Sequence, residues 1–495
     1  MVTVPSFRPI DPTSTAFLMA ESRSQPMHVG GLQLFEKPEG AGPEFTREMY
    51  ESMLATERIA PLFRKHPHRS VKSGGMLTWR EDEQLDVEHH VRHSALPQPG
   101  RIRELLELCG RLHGSRLPWE RPLWELHVIE GLADDRVAMY TKIHHSVVDG
   151  ISAMRLLASV LSTDPDRRGM PAPFAEGASR RDKAPRQREE DQQSETSGDG
   201  LSGAAVDVAS TAARTLADLP GDAFRSALGL SAEAAGMPLA LVRTLRKGLK
   251  NETSAVSLAA PRTIFNQSIT GSRRFAAQDW PVERLQAIGK SMGTTINDVV
   301  LAMCSGAMRT YLTELDALPD HSMVSMVPVG LKAKEAANAS SEGGNAVGAV
   351  MVRLATDLAD PADRLRTINR SMQDGKEALS SMTPAQIVAM SAVGMAPSIV
   401  LPMLKLQGIV KPPFNLIISN VPGPRTTHYW NGAKLVGNYP LSIPINGMAL
   451  NITCTSYDGQ LGFGLTGCRR TVPRLQRLLT FLDEELTALE KAAGL

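Results

Sequence analysis

Two adjacent histidines, His144 and His145, followed by Asp149 and Gly150, are the residues in this chain best suited to chemistry. A histidine acting as a base needs an accessible ring nitrogen, a neutral resting state near pH 7 and a neighbour that fixes its tautomer. Val137, Met139, Thr141, Ile143 and His145 share one parity, and Ala138, Tyr140, Lys142 and His144 share the other. That alternation is the period of a strand. Successive strand side chains point to opposite faces, so the two histidines diverge unless the strand ends there, and one works while the other supports. Asp149 and Gly150 precede residues 151–161, whose apolar side chains recur at helical spacing, so Asp149 stands where a helix N-cap would. The pair therefore lies on a strand-to-helix turn, a common seat for a reactive group.

Rival chemistries fit less well. Metal binding by His144, His145 and Asp149 is disfavoured: adjacent strand histidines diverge, no third His or Cys is near in sequence, and no H-E-x-x-H occurs. No G-x-S-x-G marks a serine hydrolase. Gly462, Gly464 and Gly467 formally match G-x-G-x-x-G, but Leu461, Phe463 and Leu465 alternate as in a strand and no helix follows at once, so the match reads as accidental.

The chain that must position these residues has 495 amino acids, long enough for two domains, and 42% of it is hydrophobic. With 54 basic against 53 acidic residues the net charge is +1, which implies no global attraction to nucleic acid. Four scattered cysteines, Cys109, Cys304, Cys454 and Cys468, suggest a reducing compartment and buried packing roles. The N-terminus lacks the pattern of a secretory signal. Residues 378–404 are the longest run free of charge, but Pro384, Pro397, Pro402 and Gly394 break them, so buried helices are expected there rather than a membrane span.

The patterning predicts a short helix before Glu21, a strand containing Gly30 and Gly31, helices near 45–53 and 102–112, and a hairpin joining 124–129 to 137–145. Residues 164–200 are rich in charge, Pro, Ser and Gln and read as a disordered linker. Residues 239–250 form a basic amphipathic stretch suited either to an anionic membrane or to a solvated helix face. In the second half, helices are expected over 282–292, 296–312, 361–379 and 473–493, and strands over 323–329, 346–354, 416–419 and 449–457. Two α/β domains result: 1–163 with the histidines, 164–255 as linker and connecting helices, and 256–495.

The sequence His144 to Gly150 resembles the His-His-x-x-x-Asp-Gly signature of the bacterial wax ester synthase/acyl-CoA:diacylglycerol acyltransferase family, within the CoA-dependent acyltransferase superfamily. Similar blocks follow in the family's order: Pro26 to Gly31, Pro122 to Glu125, Asn297 to Ala302, Val327 to Val329, Gly344 with Asn345, and Ser419 to Pro424. The resemblance spans nearly the whole chain outside 164–200. It implies a two-domain, chloramphenicol-acetyltransferase-like α/β fold with the active site in a tunnel between domains. It also implies direct acyl transfer from acyl-CoA, a co-substrate, to a fatty alcohol or diacylglycerol, without a further cofactor or a metal. His145 would be the base, His144 its support and Asp149 an anchor of the loop. Asn297 or Ser419 could serve the oxyanion, with Asn420 nearby, while Asp298 is expected to cap a helix. A cytoplasmic protein at a membrane or lipid-droplet surface is implied. Alternatives are a condensation-type or polyketide-associated acyltransferase, or a weakly catalytic lipid-binding coat.

Overall fold

A computed structural model describes residues 8–69, 75–148, 150–178, 260–330, 347–380 and 411–495. Among them a small sheet has the order β1 (Arg8–Pro9), β4 (Leu77–Glu81), β3 (Lys65–Arg69). Two six-stranded sheets carry the rest. The first runs β12 (Tyr429–Trp430), β13 (Ala433–Leu441), β2 (His28–Glu36), β7 (Val137–His144), β6 (Trp124–Glu130), β5 (Val91–Ala95). The second runs β10 (Val347–Arg353), β9 (Val324–Gly330), β11 (Leu416–Val421), β14 (Leu450–Tyr457), β15 (Gln460–Cys468), β8 (Arg273–Pro281).

Strand β7 is buried along its whole length because both of its faces are covered. Val137, Met139 and Ile143 pack with Trp124, Leu126 and Phe63 beneath α2 (Phe45–Leu54). Ala138 and Tyr140 pack with Leu105 and Cys109 of α4 (Ile102–His113), while α3 (Val87–His90) leads into β5. Each apolar side chain taken fully from water contributes about 1.5–3 kcal/mol. The β6–β7 hairpin sets Trp124 opposite Ile143, as the alternation predicts. In β2, a Cβ on Gly30 would lie 2.9 Å from the Thr141 carbonyl oxygen and 3.2 Å from the Tyr140 ring, so the glycine permits a close approach.

Helices α6 (Val282–Met292), α7 (Ile296–Glu314), α8 (Pro361–Ser380) and α9 (Arg477–Ala492) share the second sheet's large core. Residues 460–468 pair with β8 and β14 as a strand, so the glycine-rich match there is indeed not a nucleotide loop. All four cysteines are buried and free.

Two features depart from the sequence reading. Residues 170–178, at the start of the expected linker, are packed rather than loose: Phe174 is 1% exposed, tilts against Trp124, and accepts a backbone hydrogen bond from Ala60. The apolar anchors Met170 and Phe174 are diluted among Pro, Gly and charge, which hides them from composition. Residues 429–441, from the second half of the chain, form the edge of the first sheet, so the division into 1–163 and 256–495 does not follow the sheets. The rest of the linker, the basic stretch 239–250, Gly344, Asn345, residues 381–404 and Asp149 lie outside the described residues. Among the described residues no helix is long and apolar enough to cross a membrane.

Candidate active site

The first sheet delivers the histidine pair to its end. His144 is the last residue of β7 and stands opposite His28 of β2. His145 has left the ladder, with its backbone N–H on the Met27 carbonyl at 2.8 Å. Because the strand stops there, the two rings need not diverge as a continuing strand would force. The His145 ring stacks on Phe17 of α1 (Pro12–Ala20), with centroids 4.1 Å apart. Gly150 begins α5 (Gly150–Ser159), with open space where a Cβ would stand.

His144 is fully buried, and its tautomer follows from its partners. The Ser146 backbone N–H donates to Nδ1 at 3.1 Å and the Ser146 hydroxyl lies 2.7 Å from the same atom. Nδ1 is thus an acceptor and Nε2 carries the proton. That Nε2 lies 3.7 Å from Glu21 Oε1. Burial, with the neighbouring His145 and the Arg116 charge adding to it, pushes the His144 pKa down to about 3, so it stays neutral near pH 7.

Glu21 is the hub that sequence reasoning missed. Its side chain has no exposed surface, yet it accepts from Arg116 Nη2 at 3.0 Å, Trp119 Nε1 at 2.9 Å and the Met27 N–H at 3.3 Å. One carboxylate therefore ties the end of α1, the 116–119 loop and the strand that seats His145. Arg116 and Trp119 lie 95 and 98 residues away, and no local pattern announces them.

A second polar layer continues beneath. His28 donates from Nε2 to the His113 carbonyl at 2.8 Å, and His113 donates from Nε2 to the Ser442 carbonyl at 2.9 Å while accepting from the Tyr140 hydroxyl at 2.8 Å. Burial, reinforced by the Arg273 and Lys142 charges, lowers His113 to about 3. Lys142 Nζ donates to the Leu112 and Ser115 carbonyls and meets Glu125 at 2.9 Å. His113, Tyr140, Lys142 and Glu125 thus find partners for their buried polar atoms, whereas Nδ1 of His28 has none among the described residues.

The remaining sequence candidates are dispersed. Asp298 is buried at the N3 position of a capping box, with Oδ2 accepting from Thr295 and from Asn369 Nδ2. Asn297, half-buried in the same first turn, makes no side-chain hydrogen bond among the described residues. Ser419 and Asn420 are half-buried in β11. By alternation Ser419 shares the face of Ile417, which packs on Met27 and Val29 at the seam between the sheets, whereas Asn420 takes the opposite face. Among the described residues no group of three His, Cys, Asp or Glu is placed to hold a metal ion.

Comparison with known proteins places this geometry. The family model for the wax ester synthase/diacylglycerol acyltransferase catalytic domain matches residues 10–300, and that for the WS/DGAT C-terminal domain matches 343–490. A Mycobacterium tuberculosis protein designated a diacylglycerol O-acyltransferase is 45% identical over 487 residues, covering 98% of this chain and 99% of its own length. A second from that organism is 44% identical over 486 residues, covering 98% and 100%. The solved wax ester synthase/diacylglycerol acyltransferase from Marinobacter aquaeolei VT8 is 38% identical, with a TM-score of 0.73 over 98% of this chain and 100% of that one. The starter condensation domain of rhizomide synthetase, 12% identical with a TM-score of 0.52, shares the fold. A histidine pair at the end of a buried strand, in a two-sheet CoA-dependent acyltransferase fold matched over nearly its full length, makes the chain an acyltransferase belonging to the wax ester synthase/diacylglycerol acyltransferase family.

Proposed function

We propose that this protein transfers a long-chain acyl group from acyl-CoA to a fatty alcohol or to diacylglycerol, with His145 as general base. One observation carries the reading. The His145 ring lies against Phe17, which packs on an apolar cluster drawn from both sheets: Met27 and Val29 from the first, Val324, Met326 and Met351 from the second, and Phe414. A base at the rim of a methionine-rich apolar seam suits an alkyl substrate, because thioether side chains adapt to chains of varied shape.

In the proposed step His145 takes the proton of the acceptor hydroxyl as that oxygen attacks the thioester carbonyl. The C–S bond then breaks, and the imidazolium returns the proton to the CoA thiolate. No acyl-enzyme is needed. Burial raises the thiols of Cys109, Cys304 and Cys454 far above the range of a nucleophile, whereas at Cys468 burial is outweighed by hydrogen bonds from Thr471 and Thr270, which lower the thiol to about 7. Neutral His144 supports the loop, Asp149 anchors it, and Ser419 on the seam side of β11 is the donor for the oxyanion. Acceptors of this kind place the enzyme at a membrane or lipid-droplet surface in the cytoplasm.

The test is CoA release from a long-chain acyl-CoA with a panel of alcohols and diacylglycerol, with analysis of the lipid product. His145→Ala is expected to lower kcat by about 100- to 10,000-fold. Near-normal turnover in a folded variant refutes the role.

A further inference from the structure

We propose that the arginine-lined cleft where the turn 22–24, the end of α4 and the segment 269–273 meet holds the phosphates of the CoA donor. The inference rests on acyl-CoA being the donor, and it assigns a site separate from the histidine pair.

The cleft is open to solvent and offers about 760 Å³, a size within the roughly 300–1,000 Å³ of small-ligand sites. Arg23, Arg111, Arg273 and Arg469 line it, and its described lining contains no Asp or Glu. Arg23, Arg111 and Arg469 are exposed, so an anion entering the cleft would meet three accessible guanidiniums beside the buried Arg273. Arg273 sharpens the point. It is buried, yet among the described residues its guanidinium reaches only carbonyls, those of Thr270 and Ser24, and no carboxylate. Burial drops its pKa to about 10, with the Cys468 thiol acting in the opposite sense.

The walls are built for close approach. A Cβ on Gly114 would lie 2.7 Å from the Gly271 carbonyl oxygen, and one on Gly271 would lie 2.6 Å from that of Arg23. Three backbones from both halves of the molecule therefore meet without side chains between them. The cleft also adjoins the site. Residues 22–24 directly follow Glu21, whose carboxylate receives the Met27 N–H, and the Met27 carbonyl receives the His145 N–H. A donor whose phosphates sat here would be held by the turn that directly follows Glu21.

Phosphate chemistry could also come from a phospholipid headgroup, so the experiment has two arms. Binding of free CoA and of pantetheine, which lacks the phosphates, is measured by calorimetry for the wild type, Arg111→Ala and Arg469→Ala; both arginines are exposed. Loss of one charge-assisted phosphate contact is expected to weaken CoA binding about tenfold while pantetheine binding is unchanged. Flotation with phosphatidylcholine vesicles, with and without phosphatidylglycerol, is expected to be the same for all three proteins. Unchanged CoA affinity in both folded variants overturns the proposal, and so does a loss confined to the anionic vesicles. Because binding is read without turnover, His145→Ala should bind CoA normally, so a failure of the base assignment and a failure of this site are told apart.

Discussion

Exchanging Glu21 for glutamine keeps the shape of the buried side chain and removes its charge, which isolates what that carboxylate does for the histidine pair. Its oxygens serve Arg116, Trp119 and the Met27 N–H and face the protonated nitrogen of His144. An amide oxygen can keep one or two of those donors. Its NH2 group must then confront Arg116 or His144, donor against donor. A hydrogen bond to a charged group contributes about 1.5–3 kcal/mol to stability. Arg116 is 42% exposed, so water replaces much of what it loses. The expected cost is therefore about 1–2 kcal/mol, near the bottom of that range. The larger effect is on turnover. Met27 carries the carbonyl on which His145 docks, and a displacement on the order of 1 Å can lower kcat about 100-fold. Urea unfolding followed by tryptophan fluorescence reads the first effect, and steady-state CoA release reads the second. A variant that is destabilised but retains wild-type kcat would show Glu21 to be a structural tie only. A variant unchanged in both measurements would refute the network altogether.

Stability should fall with acidity. His144 and His113 are held near 3 in the folded protein against an ordinary 6.5, so below about pH 6.5 the unfolded chain binds the extra protons and each histidine costs about 2 kcal/mol by pH 5. A urea midpoint that does not move between pH 7 and 5 contradicts this. Gly464→Ala places a Cβ 1.9 Å from the Pro440 carbonyl oxygen of the opposite sheet, and should cost at least about 1–3 kcal/mol and depress kcat by shifting the sheets. Gly467→Ala, whose nearest neighbour is a flexible leucine methyl at 3.3 Å, is the milder control in the same thermal melt. Glu485→Ala strands the buried Arg364 guanidinium and should cost about 3–5 kcal/mol, whereas Arg364→Met with Glu485→Leu should recover most of it in urea titration.

Local order made part of this legible in advance. The alternation of residues 137–145 carried the β6–β7 hairpin and the end of the strand, because a strand buried between helices keeps its period of two through every residue. Asp298 was expected to cap a helix and does so, in a capping box with Thr295 that the structure adds, and residues 460–468 were a strand despite their glycines. Glu21 could not be read, since its meaning comes from Arg116 and Trp119, which the fold brings to it. The destination of 433–441 was equally hidden. A bulge between Leu435 and Gly437 interrupts its parity, and nothing within a strand says which sheet it will join. Residues 170–178 were obscured by their composition, although two large apolar side chains sufficed to dock them.

The excursion of residues 429–441 has a consequence for motion and for folding. The chain leaves β11 in one sheet, adds two strands to the other, and returns as β14. On the way Tyr439 donates to Asp279 at 2.6 Å. The halves are thus laced together twice by backbone, and a hinge that swung them apart would have to tear β13 from β2. A jaw-like opening to admit substrate would therefore cost the β13–β2 ladder of hydrogen bonds. Synthesis meets the same lacing: the first sheet can be hydrogen-bonded at its edge only after residue 441 has emerged from the ribosome, so the N-terminal half must wait for most of the chain. Contacts of such long sequence separation make for slow folding, and the N-terminal half, if made as a separate chain, would lack the edge that β12 and β13 supply, while those two strands would lack β2.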